Sequence, residues 1–446
     1  MTDDSTSGTR LARRITPWLL FLFILGDVLG AGIYALAGEL AAESGGLMWA
    51  PLVVALLMAL LTAASYAELV TKYPKAGGAA VFAQRAFRRP LVSFVVGFSM
   101  LAAGVTSAAG LAIAFAGDYL STFVDVPTML AAPVFLVLLA LLNARGIRES
   151  VRSNVVMTVI EVSGLVLVIV AVAIAVGGGQ GDASRLTELP PETGVASAVL
   201  GGALLAFYSF VGFEVSANVA EEVQDVSRVY PRALFGALAV AGVVYALIGI
   251  GSAVIMPPED LAGSSSPLLD VVAATGLGVP DWAFSLIALI AVANGALLTM
   301  IMASRLTYGM AEEGLLPSPL SRVLPNRRTP WVAIVVTTAI AVGLTLIGDL
   351  ATLAETVVLL LLVVFISTNV AVLVLRKDAV DHDHFRTPRA LPVLALLTCG
   401  VLLSQQSATV WLLGSGMLLL GVVLYFVNAR LGGTTAGREA PADTPA

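Results

Sequence analysis

Long apolar runs, separated by short polar or proline- and glycine-rich breaks, recur along almost the whole chain. A helix needs about 20 mostly apolar residues to cross the hydrocarbon core of a bilayer. At that length the pattern predicts about twelve spans, near 15–39, 47–70, 91–119, 127–143, 154–177, 195–221, 231–256, 281–311, 331–348, 351–375, 390–406 and 408–429. Two of them are interrupted internally: span 1 at Gly30-Ala31-Gly32, and span 6 at Gly212 within Phe210-Val211-Gly212-Phe213-Glu214. Glycine in a membrane helix frees backbone groups that lipid cannot satisfy, so such a break survives where it lines a cavity. Interrupted segments at matching places in two halves point to a transporter's substrate site.

An odd number of spans separates the two breaks, so span 1 and span 6 run in opposite directions through the membrane. A five-span unit repeated in inverted orientation has that parity. The expected fold is therefore all-α and integral to the membrane: a 5+5 inverted repeat with discontinuous helices 1 and 6, plus two additional C-terminal helices. The expected organisation is a cytoplasmic segment 1–14 and a transporter domain 15–430, followed by a disordered cytoplasmic tail 431–446. Within the domain, repeats cover about 15–177 and 195–375, and helices 11 and 12 cover about 390–429.

Composition agrees with the pattern. Apolar residues make up 58% of the chain and charged residues 12%, with a mean hydropathy of +0.94. A soluble domain carries roughly 25% charged residues, which excludes an ordinary globular protein. The formal charge of −6 says less than its distribution. With residue 1 cytoplasmic and the spans alternating, 23 of the 24 Lys and Arg fall inside and only Arg185 outside, as the positive-inside rule requires. Both termini are then cytoplasmic. The stretch 15–39 is too long for a signal-peptide core and is retained as a span. The single Cys399 excludes an intrachain disulfide and reads as a buried small hydrophobe. The basic stretch 71–90 reads as a surface helix or inner gate, or simply an ordered loop; the stretch 257–280, which has no basic residue, reads as an outer loop over the vestibule.

A helix restarting after Leu29 exposes the amides of Ala31, Gly32 and Ile33, donors suited to a carboxylate. Carbonyls near Val28 and Leu29, with those of Phe210 and Val211 at the second break, are acceptors suited to an ammonium. A zwitterion needs both. The alternative for the Gly-Ala-Gly triplet is close helix packing of small residues. Acidic residues inside spans are costly and tend to be functional, which singles out Glu161, Asp27 and Glu214 as proton carriers or as structural carboxylates holding a break together. Phe207, Tyr208, Phe210 and Phe213 surround the second break, as a closure over a substrate or as ordinary core and lipid-facing aromatics. Both histidines, His382 and His384, share one polar loop. No HExxH, no phosphate-cradling GxxxxGK[ST] and no intramembrane histidine is present, which disfavours metalloprotease and ATP-driven chemistry. No ring of charge or repeated filter sequence marks a channel.

Several ordered motifs resemble those of the amino acid–polyamine–organocation superfamily. Gly30-Ala31-Gly32-Ile33 is similar to its first-helix motif, and Phe210-Val211-Gly212-Phe213-Glu214 with Asn218 and Glu221-Glu222 to its sixth. Gly146-Ile147-Arg148-Glu149-Ser150 and the stretch from Ser304 to Pro317 fit as well, over about 15–430. The resemblance implies a leucine-transporter-like fold and secondary active transport of an amino acid by proton symport or exchange. It further implies that the span-1 amides hold the carboxylate, that the Val28, Phe210 and Val211 carbonyls face the amine, and that Tyr208 stands at an aromatic gate. Ala31 departs from the family's usual hydroxyl residue. Glu161 stands where many proton-coupled members carry a lysine; it either carries the proton itself or helps bind a cation with Thr299.

The sequence therefore points to a non-enzymatic transporter of small amino acids in the plasma membrane. Its expected partners are the substrate, a proton or counter-substrate and the bilayer, with no cofactor and no nucleic acid. An exchanger and a polyamine or amine carrier are the alternatives, ahead of a non-transporting sensor or a channel.

Overall fold

The computed structural model describes residues 15–74, 78–145, 151–325 and 329–430, with the backbone alone for residue 118 and residues 151–155. The N-terminal segment 1–14, the motif 146–150, the tail 431–446 and the basic residues Lys75, Arg327 and Arg328 lie outside the described residues.

The described chain is helical, with α1 (Pro17–Val28) and α2 (Ala31–Ser44) forming the first, broken crossing. Next come α3 (Trp49–Lys72), α4 (Gly78–Phe87), α5 (Pro90–Phe115), α6 (Asp118–Ser121), α7 (Thr128–Ala144) and α8 (Val151–Gly177). The second broken crossing is α9 (Val195–Phe210), continued by a 3-10 helix, Phe213–Glu222. After it follow α10 (Val226–Ile255), α11 (Pro258–Ala262), α12 (Pro267–Ala274), α13 (Asp281–Glu312), α14 (Trp331–Ile347) and α15 (Leu350–Val374), and finally α16 (Ala390–Ser404) and α17 (Ala408–Arg430). Eight stretches are long and apolar enough to cross a membrane. The first, Pro17–Lys72, has 56 residues, far more than one crossing requires; it turns at Gly45, φ +59°, and contributes two. Three shorter apolar helices, α7, α14 and α16, bring the crossings to the expected twelve. Every expected span has a helix in its place, with ends displaced by at most a few residues.

Packing relates the halves pairwise. Where α1 packs on α10, α9 packs on α3; where α1 packs on α8, α9 packs on α15; and α3–α10, α5–α13 and α7–α14 pair across the halves. The connecting helices follow suit. α4 lies against the 3-10 helix and α15, while α11 and α12 lie against α2, with α12 also on α8. Thus the expected surface helix within 71–90 is α4, and the outer stretch 257–280 folds as α11 and α12 over the second half of the first broken crossing. α16 and α17 pack on the outside of α15. Exposed Trp18 and Trp331 start crossings at one face, and exposed Trp282 and Trp411 at the other; amphipathic rings gather at membrane interfaces.

Polar contacts concentrate at the face where Lys and Arg gather, here called the basic face. Glu68 of α3, buried, accepts from the Thr387 amide at 2.8 Å and from Arg376 at 3.4 Å. Lys72 donates to the Leu375 carbonyl at 2.6 Å, a cation on the negative end of α15. Ser65 bonds Asn369 at 2.6 Å one turn deeper. Ahead of α1, Ile15 donates to Glu222 O (2.9 Å) and accepts from Gln224 N (3.1 Å), so the basic-face ends of both broken crossings are tied by a two-bond bridge. At the opposite face Arg185 donates to Val254 O and Ile255 O, each at 3.2 Å, capping the C-terminus of α10. Glu68→Ala takes the carboxylate from Arg376, which keeps the Thr387 carbonyl, and leaves a buried amide without its acceptor. It is expected to lower stability by about 2–3 kcal/mol, read as the unfolding midpoint of the detergent-solubilised protein; an unchanged midpoint contradicts this role.

Candidate functional site

Both breaks occur where the glycines stand. α1 ends at Val28, the Leu29 amide bonds Leu25 O at 2.7 Å, and α2 restarts at Ala31 with Gly30 at its cap. The amides of Ala31, Gly32 and Ile33 thus open α2 without partners inside the helix. α9 ends at Phe210, Val211 is extended, and Gly212 takes φ +125°, a region that glycine enters without the cost to a side chain. The two breaks touch. A Cβ on Gly32 would lie 2.9 Å from Ser209 Cα, and one on Gly212 would lie 3.0 Å from Asp27 O and 3.1 Å from Asp27 Cγ. Only glycine admits backbone this close.

Buried side chains take up part of what the breaks release. The Tyr245 hydroxyl, from α10, lies 2.5 Å from Val28 O and 3.1 Å from Ser209 O, and can donate to either; its ring meets Phe210 edge-on at 5.2 Å. The Gly212 amide donates to Glu214 Oε2 at 2.9 Å. Glu214, only 3% exposed, thus takes up one of the amides at the second break.

Glu161 lies across the cavity on α8 and is 1% exposed. Asn294 of α13 donates to its Oε1 at 2.8 Å, and its Oε2 has no hydrogen-bond partner. One turn earlier Thr158 Oγ1 is also buried without a partner, pressed against Gly26 of α1. The residue on α13 that meets Glu161 is thus Asn294. Thr299, expected nearby, lines the same cavity, but its hydroxyl donates back to its own helix, to Gly295 O and Ala296 O at 3.0 Å each.

A cavity of about 710 Å³ joins these groups. It is lined by Asp27, Val28, Gly30, Ala31, Gly32, Glu161, Tyr208, Val211, Gly212, Glu214 and Thr299. Two expected residues do not line it. Phe210 and Ile33 are buried at 0% and 1% exposure and belong to the apolar core. Away from the basic face the lining includes Tyr208, whose hydroxyl meets Ser107 Oγ at 2.8 Å, and Gly295, which packs against Ala31. Toward the basic face it runs past Asn218, Ala80 and Arg305. Sequence reasoning missed Ser107, Asn294, Tyr245 and Thr158, because each is an isolated polar residue in an otherwise ordinary apolar helix. Among the described residues no group of His, Cys, Asp and Glu is arranged to hold a metal ion.

Twelve crossings, two of them broken around one cavity, define a membrane transporter. The chain belongs to the amino acid permease family, whose model matches residues 15–435. It is 27% identical to the branched-chain amino acid permease BcaP of Bacillus subtilis (strain 168), over 96% of this chain and 95% of the relative. It is 26% identical to the methylthioribose transporter of the same organism, over 94% of each chain. The crystal structure of a mutant manganese transporter from Eremococcus coleocola superposes with a TM-score of 0.58 at 17% identity, covering 96% of this chain and 98% of that one; this likeness concerns fold. The family and these relatives are permeases and transporters rather than enzymes.

Gly212→Ala forces a side chain into a left-handed conformation and against Asp27 O. It is expected to destabilise the solubilised protein by about 1–3 kcal/mol; an unfolding midpoint equal to wild type contradicts the strained geometry.

Proposed function

We propose that this chain is a secondary active transporter of small α-amino acids, working by proton symport across the plasma membrane with both termini cytoplasmic. One observation carries the reading: the positive end of α2 and the carbonyl ends of α1 and α9 converge on one cavity. Donors of the first kind bind a carboxylate. Acceptors of the second kind bind an ammonium, and the Tyr245 hydroxyl leaves the Val28 carbonyl a second lone pair. Half-helix termini at mid-membrane act in this way in transporters built from inverted repeats. The name of the branched-chain permease supports an amino acid as cargo, whereas that of the methylthioribose transporter marks how far cargo varies among relatives.

Coupling is assigned to Glu161. Its buried carboxyl keeps one oxygen without a partner and reaches the substrate cavity, so its proton exchanges with whatever fills that cavity. Asp27 and Glu214 bound the second break, and Thr299 contributes a hydroxyl to the same wall. The three carboxylates around one cavity favour a second reading, an amine or polyamine carrier; exchange of internal for external amino acid is a variant of the first. The basic face is taken as cytoplasmic because 23 of the 24 Lys and Arg lie on that side in the alternating topology.

Uptake of radiolabelled amino acids and amines into proteoliposomes, with and without an inward proton gradient, tests the proposal. Gradient-driven accumulation of an α-amino acid is expected; amine-only flux supports the second reading, and flux requiring internal amino acid supports exchange. Glu161→Gln is expected to flatten the dependence of uptake on pH, and a wild-type pH profile removes Glu161 from the coupling step. Gly32→Leu is expected to abolish binding, since its side chain meets Ser209 and covers the α2 amides; unchanged affinity removes the site assignment.

A further inference from the structure

The cavity has two unlike walls. α1, α8 and the 3-10 helix contribute Asp27, Glu161, Glu214 and the freed backbone groups. The facing wall, from α5, α13 and α15, contributes an apolar stretch of Met100, Ala103, Gly104, Leu298, Met302 and Leu361, together with Ser107, Asn294, Thr299 and Arg305. On the first wall Glu161, 1% exposed, keeps an oxygen that no side chain satisfies.

We infer that this facing wall receives an uncharged aliphatic side chain, and that Met302, laid against Gly104, sets the largest one accepted. The inference rests on the transport reading above. A side-chain ammonium or guanidinium laid against Met302 would meet no carboxylate there, since Asn294, the α13 residue that holds Glu161, lies about two turns away, and a buried unpaired cation is strongly disfavoured. The size limit follows from one contact: a Cβ on Gly104 would lie 3.2 Å from Met302 Cε, 3.5 Å from Ala303 Cβ and 3.7 Å from Thr299 O. The methionine end therefore occupies the space that the missing side chain of Gly104 leaves. This contact sits one turn of α5 from Ser107, which bonds Tyr208, so it lies on the same wall beside that pair. Met302 is unbranched and adaptable, so shortening it enlarges the space along this wall, whereas adding a methyl at Gly104 pushes it further into the cavity.

The test is competition against uptake in proteoliposomes by alanine, valine, leucine, methionine, phenylalanine and lysine, for the wild type, Met302→Ala and Gly104→Ala. The wild type is expected to favour valine, leucine and methionine and to exclude lysine. In Met302→Ala the affinity ratio of phenylalanine to valine is expected to rise about tenfold or more, the scale on which apolar pockets discriminate side-chain size. In Gly104→Ala the ratio of leucine to alanine is expected to fall. Ratios within one variant are insensitive to how much protein folds. Amino acid uptake whose side-chain order is the same in all three proteins overturns this inference and leaves the transport reading standing, as does a preference for lysine. Accumulation of no amino acid by the wild type overturns both.

Discussion

The constraint on which the rest depends is that lipid offers no hydrogen bonds to a broken helix. Two breaks release backbone donors and acceptors in mid-membrane, and the surrounding protein must answer every group that substrate does not. Tyr245 serves the carbonyls of Val28 and Ser209, and Glu214 serves the amide of Gly212. The contacts between the breaks are backbone to backbone, which fixes glycine at 32 and 212. What is left unanswered, the opening amides of α2 among it, faces the cavity. The proposed site is therefore the part of the two breaks that the fold leaves unsatisfied.

The same constraint organises the exterior. The ends of both broken crossings are joined at the basic face by Ile15, while α4 lies over the 3-10 helix there and α11 and α12 lie over α2 at the other face. The cavity, bounded at one end by Tyr208 and Ser107, extends past Asn218, Ala80 and Arg305 toward the basic face. The seam of Ser65, Glu68 and Lys72 with α15 and its following loop adds polar ties between two long helices.

Much of this was legible in the chain. Twelve apolar runs map onto twelve crossings because the bilayer imposes one length on each, and the breaks were visible because glycine at Gly30, Gly32 and Gly212 has a steric cause. Glu161 and Glu214 stood out because carboxylates are rare in spans. The partners of these groups were not legible. Asn294 meets Glu161 across 133 residues and Tyr245 meets Val28 across 217, and no local pattern encodes such distant pairings. Thr299 stood out as a polar residue on the right helix, yet rotation along α13 brings Asn294 to Glu161 and turns the Thr299 hydroxyl back onto its own backbone. Phe210 and Ile33 belong to the right motifs, but their side chains point into the core.

The central claim is that the paired breaks recognise a zwitterion, and binding to the purified protein tests it most directly. Leucine, 3-methylbutylamine and 4-methylpentanoate share one side chain and differ in which charged group they keep. The account predicts that leucine alone raises the thermal unfolding midpoint in a saturable manner. Equal stabilisation by the amine, which has no carboxylate for the α2 amides, would contradict it.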